Sequence, residues 1–505
     1  MVSTTGEVID WAFQETPIFA SKGGAVEQNP DDWWNAIKKT TKEVIDRGRI
    51  PVEDIVGICN TSQWSGTVAV DKAGNHLMNS IIWMDTRGAK WIERFNKGVL
   101  KVSGYNIRKM LTLLKRASGG PTLPGKDPIA HILVIKNEFP EIYEKTFMFL
   151  EPQDFINMKL TGNFAASFAS IILHWVTDTR DPNNIYYSKK LLKMFKVPQN
   201  KFPPELKNST DILGPIKKEL ADELGLEKNT KVVMGSPDIH SATIGSGAVG
   251  NYEGHIYIGT SDWIFLHIPH KGVDIAHNLG TLPSAIPGRY LTGNEQEIAG
   301  GALSFLRDKI LYHKDDLLKE EAVPDVYKIF DRIVENVPAG SNNLIFTPWL
   351  IGERSPIDDP TIRGGLYNLS LEMSREHIIR AIFEGVAYNV RWLLNTIEKF
   401  IRKWVIKERQ LTKNSIIMPE LNIIGGGAQS DIWCQIIADV LNRKIKQVSD
   451  PIQANARGAA FIASVGLGYL KWDEIQKCCK ISTTFTPNPE NRAIYDKIFK
   501  EYLNI

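Results

Sequence analysis

Three short apolar stretches of this chain run directly into turns rich in glycine, serine and threonine. The stretches predict buried strands over residues 231–234, 255–258 and 421–424. The turns begin at Gly235, Gly259 and Gly425. Ligands of open α/β sheets bind beyond the carboxyl ends of the strands. The pattern therefore favours an α/β fold with a binding site built from these turns.

The length and one glycine-rich segment predict the domain organisation. At about 150 residues per domain, a chain of 505 residues corresponds to two large domains or three ordinary ones. The stretch Gly245-Ser-Gly-Ala-Val-Gly250 is a natural hinge. We therefore expect two α/β lobes, residues 1–250 and 251–505, that face each other across a central cleft.

Charge and cysteine usage exclude several classes of protein. Lys and Arg number 60 against 58 Asp and Glu, and this near balance gives no reason to expect nucleic acid or a membrane surface as a partner. No apolar run approaches 18 residues, so a cytoplasmic protein is expected. The four cysteines form no CxxC pair, and His267 and His270 have no third ligand nearby in the sequence. No metal site made of protein side chains is expected.

Two local patterns give further expectations of secondary structure. Residues 55–59 predict a buried strand, with residues 67–70 as its hairpin partner. Residues 430–441 predict a helix that follows the triple-glycine turn.

Two of the turns have the composition of phosphate-binding loops. Gly259-Thr-Ser261 could surround a phosphate with backbone N–H groups and hydroxyls, or it could be a plain hairpin turn. The run Gly425-Gly-Gly427 lets the backbone approach a ligand next to a helix start, although a tight turn would also explain it. Neither run is a Walker A loop or a GxGxxG motif.

Other side chains are candidates for acid–base chemistry and for sugar recognition. Asp238, just after a strand, is placed to act as a general base, unless it only caps a turn. The clusters Gln63-Trp64-Ser65 and Asp85-Thr-Arg87 combine aromatic faces with hydrogen-bonding groups, as sugar sites do. Core packing with a surface ion pair is the alternative for these clusters.

Six segments, in order, make the chain resemble the FGGY carbohydrate kinases, which belong to the actin/Hsp70/hexokinase superfamily. Each segment alone is weakly specific, but the six together cover nearly the whole chain. They are residues 57–87, Gly235-Ser-Pro-Asp238, Gly259-Thr-Ser261, Thr347-Pro-Trp-Leu-Ile-Gly-Glu-Arg-Ser-Pro356 with Arg363-Gly-Gly365, Arg380-Ala-Ile-Phe-Glu-Gly-Val-Ala387, and Gly425-Gly-Gly-Ala-Gln-Ser-Asp431.

The resemblance implies actin-like, ribonuclease H-like lobes and ATP-dependent phosphorylation of a small sugar or polyol, with Mg²⁺ as cofactor. It assigns Asp238 as the base. The implied sugar-binding residues are Gln63, Trp64, Ser65, Asp85 and Arg87. The implied nucleotide-binding residues are Gly259, Thr260, Gly300, Gly301, Gly426, Gly427 and Asp431. Whether the chain forms a homodimer is left undecided by the resemblance.

The chain departs from the family pattern in two places. Family members begin with a strand that carries Asp-x-Gly-Thr, the first phosphate loop, and this sequence starts after it. We expect a truncated reading of the gene; the alternative is a non-catalytic sugar- or nucleotide-binding remnant. The spacing resembles xylulokinases most, but Trp64-Ser65 stands where they carry Met-His. A ketopentose or polyol is therefore expected, and D-xylulose is the first candidate.

A third interpretation is a chaperone or filament-forming relative from the same superfamily. Such proteins have no small second substrate. The cluster of Gln63, Trp64, Asp85 and Arg87 therefore argues against this interpretation.

Overall fold

The structure is a computed structural model that describes residues 1–102, 104–313 and 325–505. The first half of the chain contains fourteen strands in these ranges: β1 (Phe19–Ser21), β2 (Ala25–Gln28), β3 (Gly57–Cys59), β4 (Val68–Val70), β5 (Ser80–Ile81), β6 (Lys101–Val102), β7 (Tyr105–Asn106), β8 (Met148–Leu150), β9 (Ala165–Ser167), β10 (Thr177–Asp178), β11 (Tyr186–Tyr187), β12 (Glu205–Lys207), β13 (Ile212–Pro215) and β14 (Lys231–Val233). Its helices are α1 (Pro30–Asp46), α2 (Ala89–Phe95), α3 (Ile107–Ala117), α4 (Pro128–Glu138), α5 (Pro140–Lys145), α6 (Pro152–Thr161), α7 (Lys189–Phe195), α8 (Lys218–Leu224) and α9 (Asp238–Gly245).

The second half is built on one large sheet. Its strands are β15 (Gly254–Ile258), β16 (Asp262–Ile268), β17 (Val273–Asp274), β18 (Leu279–Pro283), β19 (Tyr290–Gln296), β20 (Ile345–Thr347), β21 (Gly365–Tyr367), β22 (Glu420–Ile424), β23 (Lys444–Val448) and β24 (Ile481–Phe485). Its helices are α10 (Gly300–Phe305), α11 (Tyr327–Glu335), α12 (Arg375–Arg409), α13 (Asp431–Leu441), α14 (Ala454–Gly466), α15 (Ile475–Cys478) and α16 (Arg492–Tyr502). Eight strands form the sheet in the order β17-β18-β19-β16-β15-β22-β23-β24.

The centre of this sheet brings two of the predicted turns together. Strands β15 and β22 are parallel neighbours, with Tyr257 opposite Ile424. The turns that begin at Gly259 and Gly425 therefore leave the same edge of the sheet side by side. Buried residues of the long helix α12 pack with strands β15, β16 and β22 in one core. Across the three described ranges, no helix combines the length and apolar character needed to span a bilayer.

The three strands and the helix predicted around the turns are confirmed as β14, β15, β22 and α13, apart from shifts of one or two residues at their ends. The predicted hairpin between residues 55–59 and 67–70 is wrong. Strand β3 pairs in parallel with β14, and β4 pairs with β8. The connection between β3 and β4 contacts other parts of the chain instead: Asn60 donates to Asn157, and Ser65 donates to the carbonyl oxygen of Lys126.

Two helices from opposite halves of the chain cross at very close range. A Cβ atom on Gly245 of α9 would lie 1.8 Å from the carbonyl oxygen of Ala454. A Cβ atom on Gly458 of α14 would lie 1.8 Å from the carbonyl oxygen of Ser241. Any side chain at either position would push the helices apart, so these glycines fix how the two halves meet.

Candidate active site

Asp238 occupies the first position of α9, beyond the carboxyl end of β14. Its backbone N–H donates to the carbonyl oxygen of Ser62 at 2.9 Å, which joins α9 to the segment before Gln63. The side chain is partly exposed, although the residues on both sides of it are buried. Burial raises the pKa of Asp238 to about 7, with a further increase from the charge of Glu295 and opposing effects of backbone amides. A carboxyl group with this pKa can accept a proton near neutral pH.

The turn at Thr260 is braced by the start of α10. The carbonyl oxygen of Gly259 accepts a hydrogen bond from the Gly300 N–H at 2.8 Å, and that of Thr260 accepts one from the Gly301 N–H at 3.0 Å. A Cβ atom on Gly300 would lie 2.5 Å from the Gly259 oxygen, so glycine is needed for this close approach. Thr260 itself remains exposed.

Each glycine of the triple-glycine turn has a different surrounding. Gly425 has φ +91°, a conformation that favours glycine, and its N–H donates to the carbonyl oxygen of Pro451. A Cβ atom on Gly427 would lie 2.3 Å from the Cγ2 atom of Ile258. A Cβ atom on Gly426 would have no described atom within 4 Å. Gly426 is therefore the member of the turn that borders open space.

Asp431 begins α13, next to this turn, and its side chain is exposed. The Gln447 side chain donates to the Asp431 carboxylate at 2.9 Å and to the carbonyl oxygen of Ala428 at 2.7 Å. Ser430 caps the helix by accepting a hydrogen bond from the Trp433 N–H. Gln447 thus holds the acidic group of Asp431 close to the glycine turn.

Two residues of the predicted sugar cluster Gln63-Trp64-Ser65 are buried. Trp64 is 8% exposed, and its Nε1 atom donates to the carbonyl oxygen of Ser170 at 3.2 Å. Ser65 is also buried, and its hydroxyl donates to the carbonyl oxygen of Lys126 at 2.7 Å. Gln63 remains partly exposed and donates to Gln28. A role for Trp64 in sugar contact stays a prediction; its indole lies in a core shared by both halves of the chain.

Asp85 and Arg87 form one hydrogen-bonded unit. The fully buried Asp85 carboxylate accepts hydrogen bonds from the Val26 N–H, the Arg87 N–H and the Arg87 Nε, each at 2.9 Å. The Arg87 guanidinium also donates to Glu27 at 2.6 Å. Asp85 therefore fixes the position of Arg87, whose side chain keeps some exposure.

Sequence reasoning gave no role to Asp262, the residue that follows the Thr260 turn. The side chain is fully buried, and neither carboxyl oxygen has a hydrogen-bond partner among the described residues. Burial raises the pKa of Asp262 well above its usual range, and the charges of Glu353 and Glu295 add to this effect. Burial without a hydrogen-bond partner therefore favours the protonated, neutral form of this carboxyl group. An acidic residue at the end of an otherwise apolar strand was the available signal.

Several charged groups that the sequence analysis did not predict as site residues lie on both sides of the cleft. Arg354 pairs with Glu295 and Glu297, which flank the end of β19. Burial lowers the pKa of Lys126, from the first half of the chain, and the charge of Arg354 lowers it further. Arg354 lies within the family segment 347–356, whereas Lys126 lies outside all six segments on which the resemblance rests.

The sequence predicted that His267 and His270 form no metal site. His267 is buried, with one ring nitrogen bonded to the carbonyl oxygen of Ala248, and His270 pairs with Glu408. Within residues 1–102, 104–313 and 325–505, no three His, Cys, Asp or Glu side chains are arranged to hold a metal ion.

Two α/β lobes, with an acidic residue in one and adjoining small-residue turns in the other, define a class: two-lobed phosphotransferases of actin-like fold. Residues 1–245 match the model of the N-terminal domain of the FGGY family of carbohydrate kinases. Residues 254–467 match the model of the C-terminal domain of the same family. The chain therefore belongs to the FGGY family of carbohydrate kinases.

Individual relatives agree with this assignment. The chain is 27% identical to a xylulose kinase of Bacillus subtilis over 520 aligned residues, which cover 100% of this chain and 93% of that protein. A ligand-bound xylulose kinase structure from Lactobacillus acidophilus superimposes with a TM-score of 0.82 at 24% identity, covering 100% of this chain and 94% of the other. A gluconate kinase structure from the same organism gives a TM-score of 0.81 at 24% identity, with 97% and 91% covered.

Proposed function

We propose that this kinase transfers the γ-phosphoryl group of ATP to a terminal hydroxyl of a ketose or polyol, with D-xylulose as the first candidate. The observation that carries the proposal is the placement of Asp238. Asp238 is a partly exposed residue at the start of α9, beyond the end of β14, and burial raises its pKa to about 7. A carboxyl group that is reachable from solvent and has a pKa near neutral pH is suited to act as a general base.

In this proposal Asp238 accepts the proton of the attacking hydroxyl. The sugar oxygen then forms a bond to the γ-phosphorus, and the bond from that phosphorus to the β-phosphate oxygen breaks to release ADP. The exposed residue Thr260 would contact the transferred phosphate, with Gly259, Gly300 and Gly301 supporting the turn. Gln63 and Arg87, both partly exposed, would bind sugar hydroxyls, with Trp64, Ser65 and Asp85 supporting them from behind.

The nucleotide would lie against the triple-glycine turn. The open space at Gly426 would receive adenosine, and Gly427 with Asp431 would border the same site. Bound Mg²⁺ neutralises charge on the phosphate oxygens during such transfers. In phosphoryl-transfer sites Mg²⁺ is commonly bound by the substrate phosphates with one or two carboxylates. Among the described residues no three His, Cys, Asp or Glu side chains are arranged to hold a metal ion, so in this proposal the nucleotide phosphates would supply most of the ligands of Mg²⁺.

The similarity to xylulose kinases, at 27% identity, supports the choice of a ketopentose. The structural likeness to a gluconate kinase makes an aldonate the relevant competitor in any test. Trp64 and Ser65 differ from the Met-His pair of xylulokinases, so the size and polarity of this subsite differ as well.

The experiment is an ADP-release assay with ATP and Mg²⁺ over a panel of D-xylulose, D-ribulose, glycerol and gluconate. We expect D-xylulose or another ketose or polyol to raise ADP release far above the rate without sugar. If gluconate alone stimulates ADP release, the substrate is an aldonate and the proposed class of ketoses and polyols is wrong. Binding of ATP without stimulation by any sugar would favour a non-catalytic remnant.

A further inference from the structure

A basic pocket lies on the surface of the first half of the chain, apart from the residues of the candidate active site. Its cavity has a volume of about 260 Å³. It is lined by Leu111, Thr112, Lys115, Arg116, Arg180 and Lys190. These residues come from the end of α3, the loop after β10 and the start of α7. Four of the six lining side chains are cationic and none is acidic.

One carboxylate holds the two arginines of this pocket in position. The Asp178 side chain is 1% exposed and pairs with Arg116 and Arg180. Arg180 donates to it through both Nε and Nη2, at 2.8 and 2.9 Å. Lys115 and Lys190 form no ion pair with any described residue. The pocket therefore keeps a surplus of positive charge around two guanidinium groups that are already oriented.

A third lysine approaches the pocket from the second half of the chain. The Nζ atom of Lys271 donates to the carbonyl oxygens of Lys115 and Arg116, each at 3.3 Å. Burial lowers the pKa of Lys271 to about 8, and the charge of Arg180 contributes to the decrease. Like charges crowded in this way bind an anion more favourably than isolated surface lysines do, because the anion removes their mutual repulsion.

The pocket also lies where the two halves of the chain touch. Besides Lys271, Tyr290 of β19 donates to the carbonyl oxygen of Arg180 at 3.1 Å. Lys115 and Arg116 are therefore bonded through their backbone to the β16–β17 connection, and Arg180 is bonded in the same way to β19. A ligand that orders these residues would stabilise the contact between the halves.

We propose that this pocket binds a phosphate group, either as free inorganic phosphate or as the phosphate of a small phosphorylated sugar. Arginine and lysine bind phosphate through charge-assisted hydrogen bonds, and the guanidinium groups can do so in a bidentate manner. The cavity is large enough for a phosphate group with a short carbon chain, and too small for a nucleotide to be enclosed. The inference does not depend on the proposed sugar substrate.

The test is calorimetric titration of the full chain with inorganic phosphate and, separately, with ribose 5-phosphate. It compares the parent with Lys190→Gln and Lys189→Gln. Both lysines are exposed at the start of α7, but only Lys190 lines the pocket. We expect Lys190→Gln to weaken binding by about tenfold and Lys189→Gln to leave it unchanged. Binding in the nucleotide cleft would respond to neither substitution.

The two probes separate the sources of the phosphate group. Comparable loss for both probes in Lys190→Gln identifies the phosphate group alone as the ligand. Loss only for ribose 5-phosphate identifies a sugar phosphate. If Lys190→Gln and Lys189→Gln bind both probes as the parent does, or if the parent binds neither probe, the proposal is wrong.

Discussion

Trp64 packs edge-on against His240, with ring centroids 4.9 Å apart and ring planes at 74°. This contact joins the segment predicted to bind sugar to α9, two residues beyond the proposed base. The Trp64 Nε1 hydrogen bond to Ser170 fixes the other end of the indole. Trp64 thus connects three parts of the chain around Asp238.

Replacing Trp64 with Phe should destabilise the protein, because the change removes the bond to Ser170 and part of the packed ring. We expect a loss of about 1 to 3 kcal/mol in the free energy of unfolding, measured by urea denaturation. Trp83→Phe is the matched control, since Trp83 is 38% exposed and should lose much less. Equal losses in both variants would contradict the connecting role of Trp64.

The pH dependence of turnover should report the proton affinity of Asp238. A general base acts in its deprotonated form, so activity is lost as pH falls below the pKa of about 7. Because kcat/KM reports the groups of the free enzyme, we expect the logarithm of kcat/KM for the sugar to rise with pH up to about 7 and then level off. A profile that is already flat above pH 5 would show that a carboxyl group with an ordinary pKa, or no base, controls the reaction.

Gly426 and Gly427 should respond differently to alanine. The added methyl of Gly426→Ala points to open space, so stability should be unchanged while the KM for ATP rises about tenfold. The methyl of Gly427→Ala would collide with Ile258, and a loss of about 1 to 3 kcal/mol in the free energy of unfolding is expected. An unchanged KM for ATP in Gly426→Ala would place the nucleotide elsewhere.

Asp154 should make the stability of the fold depend on pH. Burial raises the pKa of this carboxyl to about 8, while a hydrogen bond from Ser170 limits the increase. The folded state therefore binds a proton that the unfolded state releases near pH 4, and stability is lost as pH rises toward 8.

Asp154→Asn should remove this dependence, so that the variant gains about 3 to 4 kcal/mol over the parent between pH 5 and pH 8. Urea denaturation at the two pH values measures it. Exposed Asp46→Asn serves as the control and should follow the parent. If the free energy of unfolding changes with pH by the same amount in the parent and in Asp154→Asn, Asp154 is not the group responsible.

Local composition was sufficient to predict the turns at Gly259 and Gly425, because small residues after an apolar strand determine such turns without distant partners. The partner of β3 could not be predicted in this way. Its neighbour β14 lies more than 170 residues later in the chain, and sequence proximity favoured β4 instead. Pairing over such distances depends on how whole elements pack.

The same limit applies within the site. The sequence indicated Trp64 as a sugar-facing ring, but Ser170 and His240, which surround it, are far away in sequence. Asp262 was missed because its one local signal, an acidic residue at the end of an apolar strand, does not show that the carboxyl group is buried without partners. Asp238 could be proposed as the base because its position after a strand is a local feature.

The most direct test of the central claim is sugar-dependent ADP release by Asp238→Asn. The isosteric amide cannot accept the hydroxyl proton, so kcat should fall by about 10²- to 10⁴-fold while the affinity for ATP, measured by calorimetry, stays within about twofold of the parent. Asp274→Asn, on the edge strand β17, is the control and should retain full activity. If Asp238→Asn turns over the same sugar within about fivefold of the parent rate, Asp238 is not the base.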